Sequence, residues 1–86
     1  MSINFIRIAE AARKLGVTRQ SVHVQAKRGT FPPLLKLGER AVGILDSEFQ
    51  ELLRARLRGD SLKEIKALVA RMVEDRRALA DSDARL

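Results

Sequence analysis

A mainly helical fold, with a two-stranded hairpin set between the second and third of four helices, is what this 86-residue sequence predicts. Three observations carry the prediction. Ile8 to Gly29 reads as two short helices joined by a tight turn. Leu34 to Leu45 alternates apolar residues as a hairpin does. Two later stretches, from Ser47 and from Ser61, carry apolar stripes at helical spacing. The sum is a winged helix-turn-helix over residues 1–58, an extra C-terminal helix over 59–80 and a frayed tail over 81–86.

Ser2 to Arg7 is short and half apolar, and predicts a strand or extended lead-in laid against the core through Ile3, Phe5 and Ile6. The first helix follows from Ile8 to Leu15. Ala11, Ala12 and Leu15 form its apolar face, and Glu10 near its start and Lys14 near its end suit the helix dipole. Gly16 ends it, because glycine accepts the left-handed conformation common at helix C-termini. Val17 is the apolar residue of the turn, and Thr18 is a good N-cap for the helix from Thr18 to Arg28. Val22 and Ala26, four apart, turn inward on it. The small alanines before the turn let the second helix cross closely. This is the arithmetic of a helix-turn-helix, whose second helix fits a DNA major groove. On these residues alone, an ordinary helical hairpin stays open.

With Val22 at the centre of the buried face, 100° per residue turns Gln20, Val24 and Lys27 to the opposite side. Ser21, His23 and Arg28 fall on the flanks, and Arg19 in the first turn. Gln20 has the chemistry to pair with an adenine edge, and Val24 to touch a thymine methyl group. Arg19, His23, Lys27 and Arg28 suit phosphates. The bland reading of each is an ordinary exposed side chain.

Gly29 ends the second helix. Phe31 is a core anchor, and with three aromatic residues in the chain there is no platform for stacking single-stranded bases. Pro32-Pro33 forces an extended turn. Leu35 and Leu37, then Val42 and Ile44, alternate around Gly38-Glu39, which fits a two-residue hairpin turn with glycine first. A hairpin directly after a recognition helix is a wing, and Lys36 and Arg40 lie next to its tip. Asp46 or Ser47 caps the third helix, Ser47 with Gln50 having the capping-box spacing. Phe49, Leu52, Leu53 and Leu57 should close the core. Gly59 ends that helix, and Ser61 with Glu64 starts a fourth that runs to about Leu79. Its stripe comprises Leu62, Ile65, Val69 and Met72, joined at the side by Leu68 and Val73 and continued by Arg76. Such a stripe either folds back on its own domain or meets a second copy. The break at Gly59-Asp60 favours the second, a self-association helix.

Charge sharpens the division. Residues 1–45 hold eight Lys/Arg against two acidic residues, and residues 46–86 nine against nine, so the whole net charge of +6 lies with the helix pair and wing. A basic half beside a neutral half suggests one polyanion-facing module and one protein-facing module. There is no cysteine and one histidine, which argues against disulfides and a structural zinc site. No run approaches a membrane span or a signal peptide, so the expected setting is the cytoplasm. No nucleophile–base pair or carboxylate cluster points to an enzyme, and no cofactor is expected.

With these residues in place, the chain resembles the AlpA family of phage regulators, within the wider MerR-like winged-helix and excisionase group. The matching pieces are IRIAEAARKLGVTRQSV, RGTFPPLLKLGERAVGIL and DSEFQELLRARL, in order from Phe5 to Arg58. The resemblance implies a double-stranded-DNA-binding protein of a mobile element, a transcription regulator, an excisionase that steers an integrase, or both, with an integrase or RNA polymerase as further partner. It puts Arg19, Gln20, Ser21 and His23 on recognition-helix positions, and Lys36 and Arg40 on wing positions. His23 stands where such proteins often carry a tyrosine, Val24 where they often carry a basic residue, and Gln25-Ala26 where they often carry larger apolar residues. That last departure predicts a looser core under the second helix. The fourth helix exceeds the family's usual ending. Two other readings stay open: a DNA-recognition adaptor such as a small terminase subunit of a phage packaging motor, and a protein-interaction module that does not bind DNA.

Overall fold

The computed structural model describes residues 3–84, with side chains placed as far as Asp81. Seven elements follow in order: β1 (Phe5–Arg7), α1 (Ile8–Leu15), α2 (Arg19–Arg28), β2 (Leu35–Lys36), β3 (Val42–Leu45), α3 (Asp46–Arg58) and α4 (Leu62–Ala84). Four helices and a small antiparallel sheet form a fold compatible with a winged helix-turn-helix. No helix among the described residues is long and apolar enough to cross a membrane.

The helix pair forms as its sequence predicts. Gly16 takes φ +72°, and its N–H and that of Val17 reach back to the carbonyls of Arg13 and Ala12. Those bonds satisfy carbonyls that a helix end leaves open. Thr18 Oγ1 accepts the Ser21 N–H at 3.0 Å and so caps α2. Ala11 and Val22 are fully buried where the two helices cross. Under α2 the small Ala26 is half-buried, and polar bonds tie down its neighbour. The Gln25 amide donates to Ser21 Oγ at 3.1 Å and accepts from Arg56 Nη2 of α3 at 2.8 Å.

The sheet differs from a bare hairpin. Its order is β1-β3-β2, so the lead-in is a strand paired along β3, with Ile6 opposite Ile44 and Arg7 opposite Gly43. The central strand is therefore hydrogen-bonded on both sides, and Gly43 sits where there is no room for a side chain. A Cβ there would collide with the Ile6 carbonyl oxygen and with Leu37 Cδ1. The wing turn is also longer than two residues. Lys36 pairs with Val42, and Leu37 N–H donates to the Ala41 carbonyl at 2.8 Å, leaving Gly38, Glu39 and Arg40 in the loop. A two-residue turn with glycine first needs positive φ at that glycine, and Gly38 does not adopt it.

Two helix boundaries move as well. α3 starts at Asp46 with Leu45 in the cap position and no side-chain cap, because β3 runs straight into it. Asp46 N–H is taken by the Asn4 carbonyl, and neither Asp46 nor Ser47 serves as the cap. α4 does begin with the expected reciprocal box, Ser61 N–H to Glu64 Oε1 at 3.0 Å and Glu64 N–H to Ser61 Oγ at 3.2 Å. It continues to Ala84, so residues 81–84 are helical rather than a frayed tail. Arg85 and Leu86, the rest of that tail, lie outside the described residues, as do Met1 and Ser2 of the lead-in.

The largest correction concerns α4. Ile65, Val69 and Met72 are buried in the same cluster as Ile8, Ala11, Val22, Phe31, Ile44, Phe49 and Leu52, and Leu68 packs at its side. The stripe folds back on its own domain, so its buried residues are no free self-association surface. Leu62 is 60% exposed and Val73 half-buried, at the margins of the packing. The physical reason is the thin core left by α1–α3. Each of the three buried α4 side chains contributes about 1.5–3 kcal/mol by leaving water, a large share of a small domain's stability. The turn at Gly59, φ +76°, lets the chain reverse, and Arg58 and Asp60 pair across it at 3.0 Å.

Candidate nucleic-acid interface

The buried side of α2 is held against α1 and α3, which leaves the opposite side to solvent. Arg19, Gln20, His23, Val24, Lys27 and Arg28 are all exposed. Val24, at 38% exposure, is an apolar side chain with no place in the core. Thr18 and Ser21, which the sequence also sets on the DNA-facing side, carry bonds within the protein. The Thr18 hydroxyl caps α2, and the half-buried Ser21 hydroxyl accepts from Gln25. Their observed bonds maintain the turn and the helix.

The structure brings some of these residues together with the wing. One open groove is lined by Arg7, Ile8, Ala9, Arg19, His23, Arg40, Ala41 and Val42. Its basic side chains come from three places. Pairing of β1 with β3 sets Arg7 beside the root of the wing. The first two turns of α2 supply Arg19 and His23, and the wing loop supplies Arg40. Three guanidinium groups and an imidazole thus share one concavity. Lys36 is exposed on β2 opposite Val42, outside the groove lining, and Lys27 and Arg28 lie farther along α2.

Among the described residues, Arg7, Arg19, Lys27, Arg28, Lys36 and Arg40 make no ion pair, whereas Arg13 and Lys14 share Glu10. The groove therefore presents uncompensated positive charge, and such a surface attracts a polyanion. The sequence reading missed Arg7. Its signal was available only through pairing, since it ends a three-residue strand whose partner lies about 35 residues away.

Residues 4–57 match the family described as "Prophage CP4-57 regulatory protein (AlpA)". The chain belongs to the AlpA family. The match begins just before β1 and ends at the last turn of α3, so it spans the helix pair, the wing and the groove, and α4 lies beyond it. A segment of 55 residues is also 31% identical to an uncharacterized protein, ORF88, of Enterobacteria phage P4. That segment covers 64% of this chain and 62% of the phage protein's length. No solved structure matches the chain. The family takes its description from a prophage regulatory protein.

Proposed function

We propose that this AlpA-family chain binds double-stranded DNA through the exposed side of α2 and its wing, as a transcription regulator or excisionase of a mobile element. The observation that carries the reading is the groove in which Arg7, Arg19, His23 and Arg40 meet beside an exposed helix face. A family whose named member is a phage regulator supports it. On this reading Arg7, Arg19, Lys27, Arg28, Lys36 and Arg40 hold phosphates and fix the register. Gln20 reads a base edge in the major groove, with Val24 against a thymine methyl group. The protein acts by occupying and bending its site in the cytoplasm and works by binding rather than catalysis. An integrase or RNA polymerase is the partner assembled beside it.

Footprinting on the DNA flanking its own gene tests the proposal. Protection at a promoter supports the regulator, and protection at an attachment site the excisionase. Protection at a packaging site would favour a terminase-like adaptor. No protection at low salt would leave a protein-interaction module and overturn the reading.

A further inference from the structure

Arg76 of α4 is a cation on an otherwise apolar stripe, and it is not solvated. Its side chain is 16% exposed and reaches two elements at once. Nε donates to Glu48 Oε2 at 2.8 Å, and Nη2 donates to Glu48 Oε1 at 2.6 Å and to the Pro33 carbonyl at 2.6 Å. Glu48 lies in the first turn of α3 and is buried. Pro33 is two residues before β2, at the root of the wing. One guanidinium therefore ties α4, the start of α3 and the segment entering the wing.

The tie falls where the wing is otherwise weakly held. Phe31 and Pro32 are fully buried, so the chain is fixed up to that point. Beyond it Pro33, Leu34 and Leu35 are half-buried, and Lys36 to Arg40 are exposed. β2 is two residues long and pairs along one side only. A strand that short contributes few ladder bonds, so its position depends on how its entering segment is anchored. A planar guanidinium suits the task, because its fixed fork serves a carboxylate and a carbonyl together.

We propose that Arg76 is a positioning residue for the wing: α4, which lies outside the family match, sets where Arg40 and Lys36 stand relative to α2. This rests on the DNA-binding reading for its consequence, but not for its structural content. Removing Arg76 alone would strand a buried Glu48 charge and threaten the fold. The informative variant replaces both partners, Arg76→Met with Glu48→Leu. Exchanging a buried ion pair for apolar residues is often neutral or stabilising, and it leaves the Pro33 carbonyl without its donor.

Two readouts separate the inference from the DNA reading. The first is amide hydrogen exchange without DNA. Leu37 N–H, bonded to Ala41, should exchange about ten-fold faster in the double variant, while Val22 N–H, bonded to Thr18, keeps its rate. Equal rates at Leu37, or a uniform rise at both, would overturn the positioning role. The second is a mutant cycle on DNA. Arg40→Ala should weaken binding about five-fold in the parent protein and less than about two-fold in the double variant, whereas Gln20→Ala should cost the same in both. An undiminished Arg40 effect would overturn the inference. Failure of every variant to change DNA binding, with Leu37 exchange still raised, would overturn the DNA reading alone.

Discussion

Gln20 and Lys27 share the exposed side of α2 but differ in what they can read. An amide can pair with an adenine edge in both directions, whereas an ammonium is a point charge suited to phosphate. Gln20→Ala is expected to cost about 1–3 kcal/mol on the best site and little on random DNA. Lys27→Ala and Arg7→Ala should weaken both by similar factors. Competition binding against a randomised duplex separates the cases, and equal losses for Gln20→Ala would reduce it to a backbone contact. Gly43 sets another limit at this scale. It has no positive φ, so its requirement is space rather than backbone freedom. An alanine there would gain the ~0.5–1 kcal/mol that glycine forfeits in a strand. It would also press on the Ile6 backbone, which cannot rotate away, at a cost of about 1–3 kcal/mol. The clash should win, and thermal unfolding of Gly43→Ala should show a lower midpoint than the parent chain.

Individual elements were legible to different degrees, for physical reasons. The α1–turn–α2 unit could be read almost residue by residue, because Gly16, Thr18 and Val22 act within a few positions of themselves. The wing was placed correctly but its turn was not, since Gly38 was assigned a conformation that the longer loop does not require. β1 is three residues long, too short for alternation to reveal, and its pairing is non-local. In α4 the stripe was visible but its partner was not. An apolar face records that it is covered, not by what. Arg76 was the clue within that stripe: a cation in line with buried residues calls for an internal acid, and Glu48 answers it. The consequence is testable at the level of the helix. Ile65→Asp with Val69→Asp puts two carboxylates into the domain's own core, at several kcal/mol in total. Circular dichroism should show an unfolded chain. A folded double mutant that had lost only self-association would contradict the packing of α4.

For the whole molecule, the division of charge remains the broadest feature: all the net charge of +6 lies in residues 1–45, which form β1, the helix pair, β2 and β3. The C-terminal half, charge-neutral in sum, completes the core beneath them. The measurement that bears most directly on DNA binding is the salt dependence of affinity for a duplex carrying the footprinted site. Arg19, Lys27, Arg28, Lys36 and Arg40 as phosphate contacts predict a log–log slope of about −4 to −5, at roughly −0.9 per contact, and Arg7 would steepen it by about one more. A slope near zero would mean that the basic groove meets no phosphate backbone, and would contradict the account.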